Sequence, residues 1–341
     1  ATEVTVIVDP DNGAGTDYTS LAAAIAGEAR DLVTADEQLT IKCRCTGGTA
    51  DGPATIDGFT TDATRYVKVW TDPSESYRHA GTYPNGNKYR IEIAYTYGIK
   101  VSDEYVSIIG ISISVSASSV GSYGIFTADY TLGTGILKID KCIIRSTGNT
   151  SGYACAGIYV QDPSQVAHIS NTVVYGFYVA SVNNSGIYSY GPNVNIYNCT
   201  VYGNNIGVRR SLGTVVSTNC AVFGNLDDFL GTMTVDHCAS DDGDGTNAVD
   251  ISPGATEADD WAACFTDYAN GDFSLKSDSV CVGAGVDDPG SGLYSDDILG
   301  NTRTSPWDIG AFEYVSAAPS GITGTLAATL ADSTSSSAGA V

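Results

Sequence analysis

The chain has 341 residues, 43% of them hydrophobic, with 39 Gly, 21 Tyr, 9 Cys and one Met. This length accommodates two ordinary domains or one elongated repeat domain, and the apolar content excludes wholesale disorder. A formal charge of −23 argues against nucleic acid or a membrane surface as partner, because both need clustered Lys and Arg, and a polyanionic polysaccharide is repelled unless a cation bridges it.

The opening, Ala1-Thr2-Glu3-Val4, carries no basic, apolar leader, and no run approaches the ~18 apolar residues of a membrane span. Residues 5–8 read as a strand. Thr19 or Ser20 N-caps a helix that runs from Leu21 to about Arg30. A solenoid exposes apolar core at its ends, so residues 1–35 are expected to cap one. Strands follow at 39–42, 66–70, 89–93 and 105–109.

From residue 106 a repeat emerges. His168-Ile-Ser-Asn-Thr-Val-Val-Tyr-Gly176, Asn195-Ile-Tyr-Asn-Cys-Thr-Val-Tyr-Gly203 and Val216-Ser-Thr-Asn-Cys-Ala-Val-Phe-Gly224 share one template. Val235-Asp-His-Cys-Ala239, Leu137-Lys-Ile-Asp-Lys-Cys-Ile-Ile144 and Val106-Ser-Ile-Ile-Gly-Ile-Ser-Ile113 fit it less fully. The aligned positions Ile111, Cys142, Thr172, Cys199, Cys220 and Cys238 are 31, 30, 27, 21 and 18 residues apart. A second register, Gly124-Ile-Phe, Gly157-Ile-Tyr, Gly186-Ile-Tyr and Gly207-Val-Arg, runs in step. Such periods, built from β-branched runs and glycine corners, indicate a solenoid of strands with insertions in its turns.

One detail sets the geometry. Ile196 and Cys199 are both apolar yet three apart, which strict strand alternation forbids. A corner at Asn198 resolves this, since Asn tolerates the left-handed conformation. Asn171 and Asn219 then form the same corner in neighbouring coils. Cys199, Cys220 and Cys238 stack inward at ~4.8 Å, a spacing ill suited to disulfides but natural for buried thiols. Stacked thiols favour folding in a reducing compartment.

Residues 240–300 hold the repeat weakly. Arg303 to Tyr314 reads as a last strand closing the stack, and residues 316–341 as an Ala/Ser/Thr/Gly-rich linker or assembly arm. The expected architecture is all-β: a right-handed parallel β-helix over 36–315, with an N-terminal capping helix and a low-complexity tail.

These stacked Ile-x-Asn-Cys-x-Val-Tyr-Gly coils resemble the pectate-lyase-like β-helix superfamily across roughly residues 1–315. Gly300-Asn-Thr-Arg303 followed by Asp308-Ile-Gly-Ala-Phe-Glu-Tyr314 resembles the ending of phage and bacterial β-helix surface proteins. Asp17-Tyr-Thr-Ser-Leu-Ala-Ala-Ala-Ile25 resembles their N-terminal caps, and Gly324-Thr-Leu-Ala-Ala-Thr-Leu-Ala-Asp332 is similar to low-complexity segments of phage structural proteins. A shared fold does not carry a function with it.

Candidate chemistry is sparse. The resemblance implies that a hydrolase would carry paired aspartates with a Gly-His-Gly and an Arg-x-Lys, and neither of those two motifs is present. Arg209 near Asp227 and Asp228 is the best catalytic constellation, against the plainer reading of a solvated acidic turn. Asp241, Asp242 and Asp244 approach calcium-loop spacing without the terminal bidentate acid, so Ca²⁺ is the one cation considered and no other cofactor is expected. Two outward aromatic ladders, Tyr175, Tyr202 and Phe223, and Phe126, Tyr159 and Tyr188, offer ring faces for sugars, or merely stabilise neighbouring strands.

The leading expectation is a non-enzymatic structural or adhesive protein of a phage virion that contacts cell-surface polysaccharide. Its tail, 316–341, would bind other virion or surface proteins. The alternatives are a polysaccharide lyase or hydrolase, and a secreted adhesin at the cell surface.

Overall fold

The computed structural model describes residues 1–116, 121–127, 135–148, 155–161, 164–179, 184–241, 243–254 and 256–316. Short runs rich in Val and Ile pair in parallel into three walls around a common lumen. The first wall stacks Thr2–Val8, Glu37–Cys43, Val67–Trp70, Val106–Ile109, Ile136–Asp140 and Val166–Ser170 in order. The second stacks Ala54–Ile56, Thr96–Val101, Ser122–Thr127 and Ala156–Val160. Two long bent strands, Ser185–Tyr197 and Ile206–Thr218, join both walls into one sheet of 14 strands. The third wall is a separate eight-stranded sheet running from Arg90–Ile93 to Val249–Asp250. Each coil therefore passes from the first wall to the third, then the second, and back. This is a parallel β-helix.

The asparagine corner is present and extends further than the asparagines do. Gly110, Lys141, Asn171, Asn198, Asn219 and His237 all adopt φ between 46° and 72°. Behind the corner, Ile111, Cys142, Thr172, Cys199, Cys220 and Cys238 point into the lumen and are fully buried. The sulfurs of Cys199, Cys220 and Cys238 lie 3.4, 3.4 and 3.5 Å from the carbonyl oxygens two residues back. The Thr172 hydroxyl donates to the equivalent carbonyl of Ser170 at 2.8 Å, so Thr substitutes for Cys without leaving its polar atom unsatisfied. All nine cysteines are free and buried, and burial pushes the Cys142 thiol up to about 12.

The glycine register has a steric cause. A Cβ on Gly186 would lie 2.5 Å from Val201 Cγ1 and 2.8 Å from the Gly207 carbonyl, because the second wall passes close over the valines of the third. At the N-terminal end, Ser20 Oγ accepts from the Ala23 N–H and starts the helix Leu21–Glu28. Its buried face, Leu21, Ala24 and Ile25, joins the lumen core.

The C-terminal expectation needs correcting. The last coil strand is Val249–Asp250, and Arg303–Tyr314 forms no strand. Instead the helix Glu257–Cys264, the antiparallel pair Phe265–Asp267 and Asp272–Leu275, and the segment to residue 316 fold back along the rod. They cover the outer face of the third wall, where Ile143, Val173, Ala221, Phe223 and Ala239 pack with Phe265, Phe273, Ile298, Ile309 and Phe312 in a second core. A sheet buried on both faces needs apolar residues on both, which is why Ile143-Ile144 and Val173-Val174 do not alternate.

The asparagine side chains hold this cover in place. Asn198 Nδ2 donates to the Asp308 carbonyl (2.8 Å), and its Oδ1 accepts from the Tyr294 hydroxyl (2.8 Å). Asn219 exchanges two bonds with the Val286 backbone, at 2.7 and 2.9 Å. Asn171 Oδ1 accepts from Arg303 at 2.7 Å, and Arg303 in turn faces Glu313 at 3.4 Å with both side chains buried.

A histidine makes the fold sensitive to acid. Buried His79 accepts at Nδ1 from the Gly81 N–H (3.3 Å), so Nε2 carries the proton that it gives to the Lys141 carbonyl (2.7 Å). Burial depresses its pKa from 6.5 to about 4. A depressed histidine stabilises fully above its unfolded pKa, and that contribution fades as pH falls from 6.5 through about 4. Urea midpoints measured from pH 7 to 4 should fall less steeply for His79→Gln than for the parent. Parallel slopes would contradict this.

Candidate functional site

The Gly-Ile-Tyr register sends its third residue outward on the second wall. Lys100, Phe126, Tyr159, Tyr188 and Arg209 thus stand in one column, in register from coil to coil. Phe126 stacks on Tyr159 with centroids 5.3 Å apart, and Tyr159 on Tyr188 at 4.7 Å with planes within 6°. The Arg209 guanidinium lies 4.6 Å over Tyr188. Tyr97 and Tyr123 extend the cluster on one side, and Tyr190, 38% exposed, meets Tyr188 edge-on.

Ring spacing close to the ~4.8 Å strand separation means the ring planes stack along the rod axis. Each face is therefore taken by a neighbour, which corrects the expectation of free faces for sugars. What the stripe presents outward is ring edges. Tyr97, Tyr123 and Tyr190 escaped the sequence reading, because the first two precede the glycine and the third lies in the bend toward the first wall.

The other predicted ladder is largely covered. Tyr175, Tyr202 and Phe223 do point away from the lumen, but the C-terminal cover lies on them. Phe223 stacks on Phe265 at 4.6 Å and has no exposed area, while Trp261 and Tyr268 pack edge-on against Tyr202. Phe223 belongs to the second core, and Tyr175 and Tyr202 are partly buried against it. Their assignment to carbohydrate is corrected accordingly.

Of the two acidic catalytic candidates, Asp228 serves structure. Asp227 is exposed at the start of Asp227–Leu230, opposite Ile206. Its neighbour Asp228 is buried, accepting from Asn225 Nδ2 (2.8 Å) and from the Asp241 N–H (3.0 Å). Arg209 lies over the Tyr188 ring and pairs in the strand register with Leu230, three residues beyond Asp227. Asp228 instead belongs to a second ladder that sequence reading missed. Asn204 Oδ1 accepts from the Phe177 N–H, and Asn225 Oδ1 from the Asn204 N–H, each just after a Tyr-Gly or Phe-Gly corner. The Gly-Asn that follows Tyr202 and again Phe223 was its signal.

The calcium loop fares likewise. Asp241 accepts from the Gly224 N–H (2.7 Å), Ser252 Oγ (2.9 Å) and Trp261 Nε1 (2.7 Å), which fills its carboxylate with protein donors and ties the covering helix to the coil. The Asp244 N–H donates to Ser240 Oγ, and Asp242 lies outside the described residues. Among the described residues no three His, Cys, Asp or Glu side chains are placed to share a metal ion. The tail from residue 317 onward also lies outside the described residues.

No family model and no curated protein matches the chain. Among solved structures, the pectate lyase Pel9A aligns over 92% of this chain and 97% of its own, at 15% identity and a TM-score of 0.32. So loose an overlap has no bearing on activity, and the fold assignment rests on the strand pairing itself.

Proposed function

We propose that the protein is a rigid, non-enzymatic adhesive rod that contacts cell-surface carbohydrate along the tyrosine stripe of its second wall. The observation that carries this reading is the stripe itself: aromatic residues aligned over successive coils and partly exposed on an otherwise acidic molecule. Phenol hydroxyls and ring edges give a sugar chain amphipathic contact with few rotamers to freeze. The candidate carboxylates support the same reading, because Asp228 and Asp241 are occupied in holding the coil and its cover.

A virion is the location we favour, with the 316–341 tail as the attachment to other particle proteins. Nine buried free cysteines support assembly in a reducing cytosol before release. Affinity electrophoresis against a panel of neutral and acidic cell-surface polysaccharides tests the adhesive role. At least one polymer should retard the protein, Tyr159→Ala with Tyr190→Ala should relieve the retardation about tenfold, and no new reducing ends should form. Retardation by none of them, or polymer cleavage, would refute it.

A further inference from the structure

The first wall carries a different surface. Its register aligns Lys68, Ser107, Lys138 and His168 across four successive coils. At ~4.8 Å per strand, the two lysines stand roughly 10 Å apart at the backbone, with Ser107 midway. They face a groove of two adjoining lobes of about 220 Å³ each, lined also by Tyr66, Tyr105 and Leu293.

The charge of this groove runs against that of the chain. With a net charge of −23, carboxylates are plentiful, and seven of the sixteen Lys and Arg side chains, Arg30, Lys42, Arg44, Arg65, Arg90, Lys141 and Arg303, are ion-paired. Among the described residues, neither Lys68 nor Lys138 has a carboxylate at ion-pair distance. The Lys68 ammonium sits 4.1 Å over the Trp70 ring instead. His168 Nδ1 is buried without a hydrogen-bond partner. Among the described residues the one carboxylate lining the groove is Asp140, whose Oδ1 is engaged by Ser170 (2.8 Å) and Asn171 (3.0 Å) and whose ionisation burial opposes.

Two ammonium groups, a hydroxyl and an imidazole are separate point donors, and among the described residues the groove lining holds no guanidinium fork. A planar carboxylate is matched best by such a fork, whereas a tetrahedral oxyanion distributes its oxygens among separate donors. We propose that this groove binds a tetrahedral oxyanion, a sulfate or phosphate ester carried on a sugar or polyol that lies against Tyr66 and Tyr105. The groove and the tyrosine stripe occupy different walls, so either stands without the other.

Calorimetry of the full chain at low ionic strength tests this with sodium sulfate, inorganic phosphate and acetate, followed by dextran sulfate and polyphosphate. Sulfate and phosphate should bind at one site and acetate more weakly. The Lys68→Gln/Lys138→Gln double variant should weaken binding at least about tenfold, and Lys138→Gln alone by a smaller factor, while Lys88→Gln matches the parent. A preference for dextran sulfate or for polyphosphate identifies which ester is the source. Acetate binding as tightly as sulfate, equal binding by parent and double variant with matching melting temperatures, or no binding of any anion would each overturn the proposal. If the double variant unfolds, the exposed Lys138→Gln variant alone decides: binding as tight as the parent's overturns it.

Discussion

Replacing Arg303 by Met is expected to destabilise the protein by about 3–5 kcal/mol, the range found when one member of a buried ion pair is removed. The side chains of Arg303 and Glu313 are 0% and 2% exposed. Arg303 also donates to Asn171 Oδ1 and to the Gly310 carbonyl, so its loss strands several buried acceptors together with the Glu313 charge. Glu313 would keep the Thr304 backbone and hydroxyl donors, which neutralise nothing. Urea denaturation should show a lowered midpoint, and limited proteolysis should cut first within 276–316, where the cover detaches. Adding Glu313→Gln to Arg303→Met should restore part of the loss, because the pair is then removed together. A midpoint within the error of the parent would mean that the cover contributes little to stability.

Asn198→Ala should cost about 3 kcal/mol, from two separable sources. The left-handed φ of 46° penalises any residue with a Cβ that lacks a compensating local bond, by roughly 1–2 kcal/mol. The Asp308 carbonyl and the Tyr294 hydroxyl, buried partners of the Asn198 amide, lose their bonds at about 1–3 kcal/mol. Asn198→Gly removes only the first source of strain and should recover about 1 kcal/mol over Ala. The expected order of urea midpoints is Asn above Gly above Ala. Equal midpoints for Gly and Ala would show that corner strain is not what the asparagine relieves.

The corner and the lumen were legible because each coil repeats them. Asn198 between Ile196 and Cys199 breaks alternation in a way that only a corner explains, and two further copies place it in register. The glycine register was visible for the same reason, although its cause, the close passage over Val201, needs three dimensions. The second core was less legible. Ile143-Ile144 and Val173-Val174 broke alternation too, but here the break meant a wall covered on both faces. That cover is irregular, so no period announces it, and its docking onto Asn171, Asn198 and Asn219 bridges up to 132 residues of sequence.

The sites were hardest to read. Acidic pairs look alike in sequence whether they bind an ion, cut a sugar or tie a turn. Only the donors around Asp228 and Asp241 separate these cases. Lys68 and Lys138 lie 70 residues apart, and unequal insertions hide their shared column until the strands are paired. Phe126, Tyr159 and Tyr188 were placed on the right surface, yet the direction of their ring planes depends on side-chain packing that no spacing encodes.

Titration of the thiols in the folded and denatured protein, without reductant, tests the lumen most directly. The coil predicts almost no reaction in the native state and nine reactive thiols once the chain is unfolded, since all nine sulfurs are free and enclosed. Fast labelling of the native protein, or a shortfall from nine in denaturant, would mean that the lumen, which encloses seven of the sulfurs, and the second core, which encloses Cys264 and Cys281, are not sealed.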